Sequence, residues 1–124
     1  MRVDIDTGEV LDIALSGDVE TFGGSDGMFF EPGGGRLVMV NVTPPTFLVT
    51  ASFSPDYTSA TLTSQAYADP QLDRPSATAL RGDRLWVVNS QLDHVVDDGN
   101  GAFGTDPDLP FQLVGVDAEA ALAE

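Results

Sequence analysis

The chain has 124 residues, 42% of them hydrophobic, and a formal net charge of −15 from 20 acidic residues against five arginines and no lysine. That excess of negative charge repels nucleic acid and anionic membrane surfaces, so neither is expected as a partner. The absence of cysteine rules out disulfides and thiolate sites, and no apolar run approaches the roughly 18 residues of a membrane-spanning helix.

Residues 1–20 read as two strands around a turn. Val3 and Ile5 alternate with Asp4 and Asp6, Thr7-Gly8 turns the chain, and Val10 to Leu15 resumes the apolar run. No signal-peptide core follows Met1, which places the protein in the cytoplasm as the sequence stands, or outside the cell if its natural N-terminus lies upstream. A Gly-rich loop, Thr21 to Gly27, leads into a short strand over 27–31 that ends at Pro32. Strands then follow over 36–42, 46–54 and 59–66, with Phe47, Val49, Ala51 and Phe53 expected on one face of the third. The fourth is rich in threonine and the most polar. After a connector with two prolines, strands over 76–80 and 84–90 form a hairpin across Arg81-Gly82-Asp83. Leu85 to Val88 is apolar at every position, which predicts a strand covered on both faces. Asp93 to Pro110 is the longest irregular stretch, of a length usually functional or mobile. A last strand over 111–116 precedes a short tail of helix-favouring composition, 118–124.

About nine strands without a substantial helix predict an all-β fold. Arg36, Leu37, Val40 and Asn41 recur as Arg84, Leu85, Val88 and Asn89 at a constant offset of 48 (84 − 36). A period of that size favours a β-propeller, whose four-stranded blades repeat every 40–50 residues or so. The chain then holds about two blades: a half blade in 1–20, a complete antiparallel blade in 21–70, a three-stranded final blade in 71–118, and a tail in 119–124. The final blade lacks a fourth strand: either residues 9–15 of this chain or of another copy supply it, or the blade's edge stays open.

Ser25-Asp-Gly-Met-Phe-Phe with Gly35-Arg-Leu-Val-Met-Val-Asn41, then Arg84-Leu-Trp-Val-Val-Asn-Ser-Gln91 and Leu109-Pro-Phe-Gln-Leu-Val114, resembles the C-terminal part of gluconolactonase/regucalcin-like β-propellers. The resemblance spans about residues 20–117 and implies the last third of a six-bladed domain that hydrolyses lactones or esters with an axial divalent metal, often calcium. It further implies that Asp26, in the turn entering a blade, is a metal ligand. The Glu and Asn ligands of earlier blades have no counterpart here, and calcium takes 6–8 oxygens. The metal is therefore expected only in an assembled propeller, and this chain alone is expected to be inactive.

Asn41 and Asn89 end equivalent strands and are candidates for lining a ligand channel, although Asn is also a common strand terminator. His94, the sole histidine, lies beside Asp93, Asp97 and Asp98, where an acid/base or ligand role competes with that of an ordinary loop residue. Asp97, Asp98 and Asn100 lack the spacing of an EF-hand loop. Gly23-Gly-Ser-Asp-Gly27 matches G-x-S-x-G formally, but a nucleophile elbow requires a helix after Ser25 and a β-strand pattern follows instead. Two functions are consistent with these residues: part of a metal-dependent lactonase-type hydrolase, or a non-catalytic propeller module that binds ligand or protein through 91–110. The partners expected are the remaining blades of a longer chain or further copies of this one, and a small-molecule lactone.

Overall fold

The computed structural model describes residues 1–19, 24–41, 46–66, 71–94, 106 and 108–123. Among them the chain is all-β, with ten strands and one short helix. β1 (Arg2–Val3) and β2 (Val10–Leu11) form a small hairpin. β3 (Ala14–Gly17), β4 (Ser25–Phe30), β5 (Arg36–Asn41), β6 (Thr46–Phe53) and β7 (Ser59–Ala66) make one five-stranded sheet, ordered β3-β7-β6-β5-β4. β8 (Pro75–Arg81), β9 (Arg84–Asn89) and β10 (Leu113–Asp117) make a three-stranded sheet in which β9 is central. The helix α1 is Ala118–Ala121. Most of the loop expected over 93–110 lies outside the described residues.

The offset of 48 is structural as well as sequential. β4-β5-β6 and β8-β9-β10 are both antiparallel meanders, and each begins with a register shift in its first strand. Ser25 pairs with Asn41 as Pro75 pairs with Asn89. Alternation along the strands then sorts the side chains into two faces. Phe29, Val38, Val40 and Leu48 of the larger sheet join Leu80, Leu85, Val87, Val114 and Val116 of the smaller one in the main core. The sheets approach closely along β4 and β8. A Cβ on Gly27 would stand 2.7 Å from the Ala77 Cα, so glycine is what the contact requires.

A second cluster, Met39, Val49, Ala51, Ala60 and Leu62, occupies the opposite face of the five-stranded sheet, with Ile13, Val19, Leu37 and Phe53 packed against it. Phe47 does not share this face with Val49, as simple alternation predicts. The register shift between Thr46 and Leu48 turns it into the main core beside Leu48.

One further expectation is corrected and one open alternative is decided. β9 is not covered on both faces: Leu85, Val87 and Asn89 are buried, whereas Trp86 and Val88 are 41% and 39% exposed. The neighbouring sheet of this chain covers one side only. Of the alternatives for the final blade's fourth strand, residues 9–15 of this chain do not supply it, and among the described residues that edge is open. β3 instead pairs in parallel with β7, and β10 stays at an edge. Asp18 secures that pairing by accepting from the Ser64 amide and hydroxyl, each at 3.0 Å. A Cβ on Gly17 (φ +116°) would fall 1.9 Å from the Leu62 carbonyl oxygen, so the two strands meet where only glycine fits.

The tail closes one end of the stack. Asp117 caps α1 by accepting from the Ala120 amide at 2.9 Å. Arg36 forms a two-pronged ion pair with Glu31, 2.8 Å on each side, and donates through Nη1 to the Leu122 carbonyl at 2.9 Å. That guanidinium thus ties the start of β5 to the end of the chain, with planar fork geometry that suits arginine over lysine.

Candidate functional site

The expected site residues fall near the end of the stack opposite α1, where β5 and β9 finish and β4 and β8 begin. Asn41 and Asn89 occupy matching places there, each 7% exposed. Asn89 spends its amide on the backbone. Its Oδ1 accepts from the Asp73 N–H at 2.5 Å and its Nδ2 donates to the Gln71 carbonyl at 2.7 Å. It fastens the connector that leads into β8.

The next two residues extend this fastening. The Ser90 hydroxyl donates to the Arg74 carbonyl. Gln91 takes the left-handed conformation (φ 52°), which lets its N–H reach the Asp73 carbonyl at 3.0 Å. Its buried side chain then grips the backbone of Asp108 on both sides: Nε2 donates to the carbonyl at 2.9 Å and Oε1 accepts from the N–H at 2.6 Å. Asn89-Ser-Gln91 therefore joins three separate segments through side chains satisfied by main-chain groups.

His94 follows on a single 3₁₀ turn, Leu92–His94, that begins from the Gln91 carbonyl. Its Nδ1 lies 2.9 Å from the Asp106 carbonyl, an acceptor, so Nδ1 carries a proton. Its Nε2 lies 3.5 Å from Asp73 Oδ2. The carboxylate brought to the histidine is thus Asp73, from the connector. Asp97, Asp98 and Asn100, together with the Asp93 side chain, lie outside the described residues.

Around these clamps opens a cleft of about 430 Å³, lined by Gln71, Asp73, Asn89, Gln91, Asp108 and Gln112 among others. Amide and carboxylate groups of this kind pair with hydroxyls, and the two aspartates disfavour anions. Asp26 lies outside this cleft, exposed at the start of β4. Among the described residues no three His, Cys, Asp or Glu side chains converge as a metal-holding group. Asp26 supplies one carboxylate, which alone does not fit the oxygen demand of calcium. Ser25 sits within β4, and its buried hydroxyl has no hydrogen-bond partner among the described residues, so none of them acts on it as a base.

The sequence singled out Asn89, His94 and the stretch 91–110, but not Asp73 of the connector. The signal for Asn89 and Gln91 was the run of polar residues directly after a strand of four apolar ones. Compared with known proteins, the chain matches no family model, no curated protein and no solved structure.

Proposed function

We propose that the two sheets are adjacent blades of a β-propeller and that the chain serves as a ligand-binding module, with the cleft beside Asn89 and Gln91 as its site. The observation that supports this most strongly is the set of clamps around the cleft. Three chain segments are held by buried amide side chains, leaving a pre-formed polar hollow at one end of the stack. Preorganisation of that kind lowers the ordering cost of binding. The lining favours a small, neutral, hydroxyl-bearing molecule, a class that includes sugar lactones.

The test is titration of the labelled protein with a panel of polyols and sugar lactones, followed by amide chemical shifts. Binding should move residues 71–73, 89–91 and 108–112, and Gln112→Ala should weaken it by about 2- to 10-fold, the loss of one hydrogen bond. A panel that leaves all of those signals in place removes the reading.

A second reading makes the chain part of a gluconolactonase-like hydrolase, and the exposure of Asp26 at the start of β4 favours it. Asp26 would then be one oxygen ligand of a divalent metal such as calcium, with the other ligands supplied by further blades; the metal would supply Lewis-acid polarisation of a carbonyl. Asp26→Ala would lower calcium affinity in the assembled form. Unchanged affinity removes that assignment.

A further inference from the structure

The two sheets stack in one direction only. The face of the larger sheet that carries Phe29, Val38, Val40 and Leu48 packs on the face of the smaller sheet that carries Leu80, Leu85, Val87 and Val114. The 48-residue equivalence relates these surfaces to the ones left over. Trp86 and Val88 stand where Val38 and Val40 stand, and Leu113 pairs with Val88 as Leu48 pairs with Val40. The outer face of the smaller sheet therefore repeats the surface that the larger sheet uses to make the internal contact. Conversely, Leu85 and Val87 correspond to Leu37 and Met39, which lie on the outer face of the larger sheet.

The outer face of the smaller sheet is apolar and open, whereas on the larger sheet Met39, Val49, Ala51 and Leu62 are already buried with Ile13 and Val19 packed against them, and the open apolar surface is the β4 edge. Trp86, Val88 and Leu113 are 41%, 39% and 64% exposed, and Met28 and Phe30 on the other side are 58% and 52% exposed. That other side contains a groove of about 340 Å³, bordered by Leu15, Met28, Leu37, Met39 and Phe53. The groove gives the room that an indole needs where the internal contact accommodates only Val38. Contiguous exposed apolar surfaces of this kind mark interaction sites.

We infer that a second copy of this chain packs head to tail on these surfaces, with Trp86, Val88 and Leu113 of one copy set into the groove beside Met28, Leu37 and Phe53 of the next. The internal sheet-to-sheet contact is the template for the Trp86 side of this contact, while the receiving side is the β4 edge and its groove. Such an interface is heterologous, so it propagates until rotation closes it into a ring. The inference rests on the repeat and the two faces, and is independent of what the cleft binds. Each copy brings a charge of −15, so association strengthens as salt screens the repulsion.

The experiment measures native mass from about 1 μM to about 1 mM protein in low salt and in about 0.5 M salt. The wild-type chain should pass from 13.1 kDa to multiples of it, more readily in the higher salt. Trp86→Glu and Met28→Glu should each remain monomeric, with unchanged circular dichroism because both side chains are exposed. Mixed together they should give a one-to-one complex and nothing larger, since each supplies the one face the other has lost. Leu113→Glu replaces Trp86→Glu should the latter fail to fold. A wild-type chain that stays monomeric throughout overturns the inference. So does self-association of either variant, which would show that a face pairs with itself.

Discussion

Val38 and Trp86 hold equivalent positions in β5 and β9, yet Val38 is wholly buried while Trp86 is 41% exposed. The difference is not one of residue type, since the larger and equally apolar side chain is the one left in solvent. It is one of neighbours. Val38 faces the smaller sheet, and among the described residues no sheet faces Trp86. The same strand pattern therefore gives a two-sided element in one repeat and a one-sided element in the other.

Gly27 sets the distance between the sheets. Its Cβ position lies 2.7 Å from the Ala77 Cα and 2.8 Å from the Ser76 carbonyl oxygen, both main-chain atoms that cannot turn aside. Gly27→Val should force β4 from β8 and cost about 1–3 kcal/mol, the usual penalty of overpacking. Urea unfolding measures this, with Gly35→Ala as the control, because a Cβ there meets nothing within 4 Å.

Asn89 should behave as a structural clamp. Asn89→Ala leaves the Asp73 N–H and the Gln71 carbonyl without their partner in a part-buried place, at a cost of about 1–3 kcal/mol. Hydrogen exchange should show lost protection at Asp73. Unchanged exchange there would show that the connector is held by other contacts.

The turn between β6 and β7 should give stability an acid limb. The Asp56 carboxyl is held below its ordinary value of 3.8 by hydrogen bonds from the Ser54 hydroxyl, then the Thr58 hydroxyl and the Thr58 amide. Asp4 is lowered likewise, first by the Thr7 amide. A lowered folded value means the native state favours the ionised carboxylate. The contribution is present above the unfolded value of 3.8 and disappears as pH falls through the folded one. Thermal midpoints of Asp56→Asn should accordingly fall less steeply between about pH 4 and pH 2 than those of the wild type. Both carboxylates are exposed, so salt should shrink the difference.

Much of the fold was legible because strands announce themselves by alternation and turns by Gly and Pro. The span 59–66 matches β7 residue for residue, and the offset of 48 led directly to the two equivalent meanders. What alternation could not carry is whatever a distant neighbour decides. The register shift that redirects Phe47, the parallel pairing of β3 with β7 and the one-sided cover of β9 all depend on residues far away in sequence. The cleft was legible through Asn89 and through the stretch 91–110 expected to bind, which supplies Gln91, Asp108, Leu109 and Pro110 to its lining. Its closure depends on Gln91 adopting a left-handed backbone and on Asp108 returning from 17 residues away, neither of which has a local signature. The Arg36 link to Leu122 spans 86 positions and was equally silent.

The account's central claim is that the equivalent meanders β4-β5-β6 and β8-β9-β10 stack in one sense, with Gly27 against Ala77 and Trp86 facing away. Proton–proton Overhauser contacts in a dilute sample test this most directly. The account predicts contacts from the Ala77 methyl to the Gly27 α-protons and from the Val38 and Val40 methyls to those of Leu85 and Val87, with none from the Trp86 indole to Val38 or Val40. Contacts between the Trp86 indole and Val38 or Val40 would contradict it, because they would place the opposite face of β9 in the core.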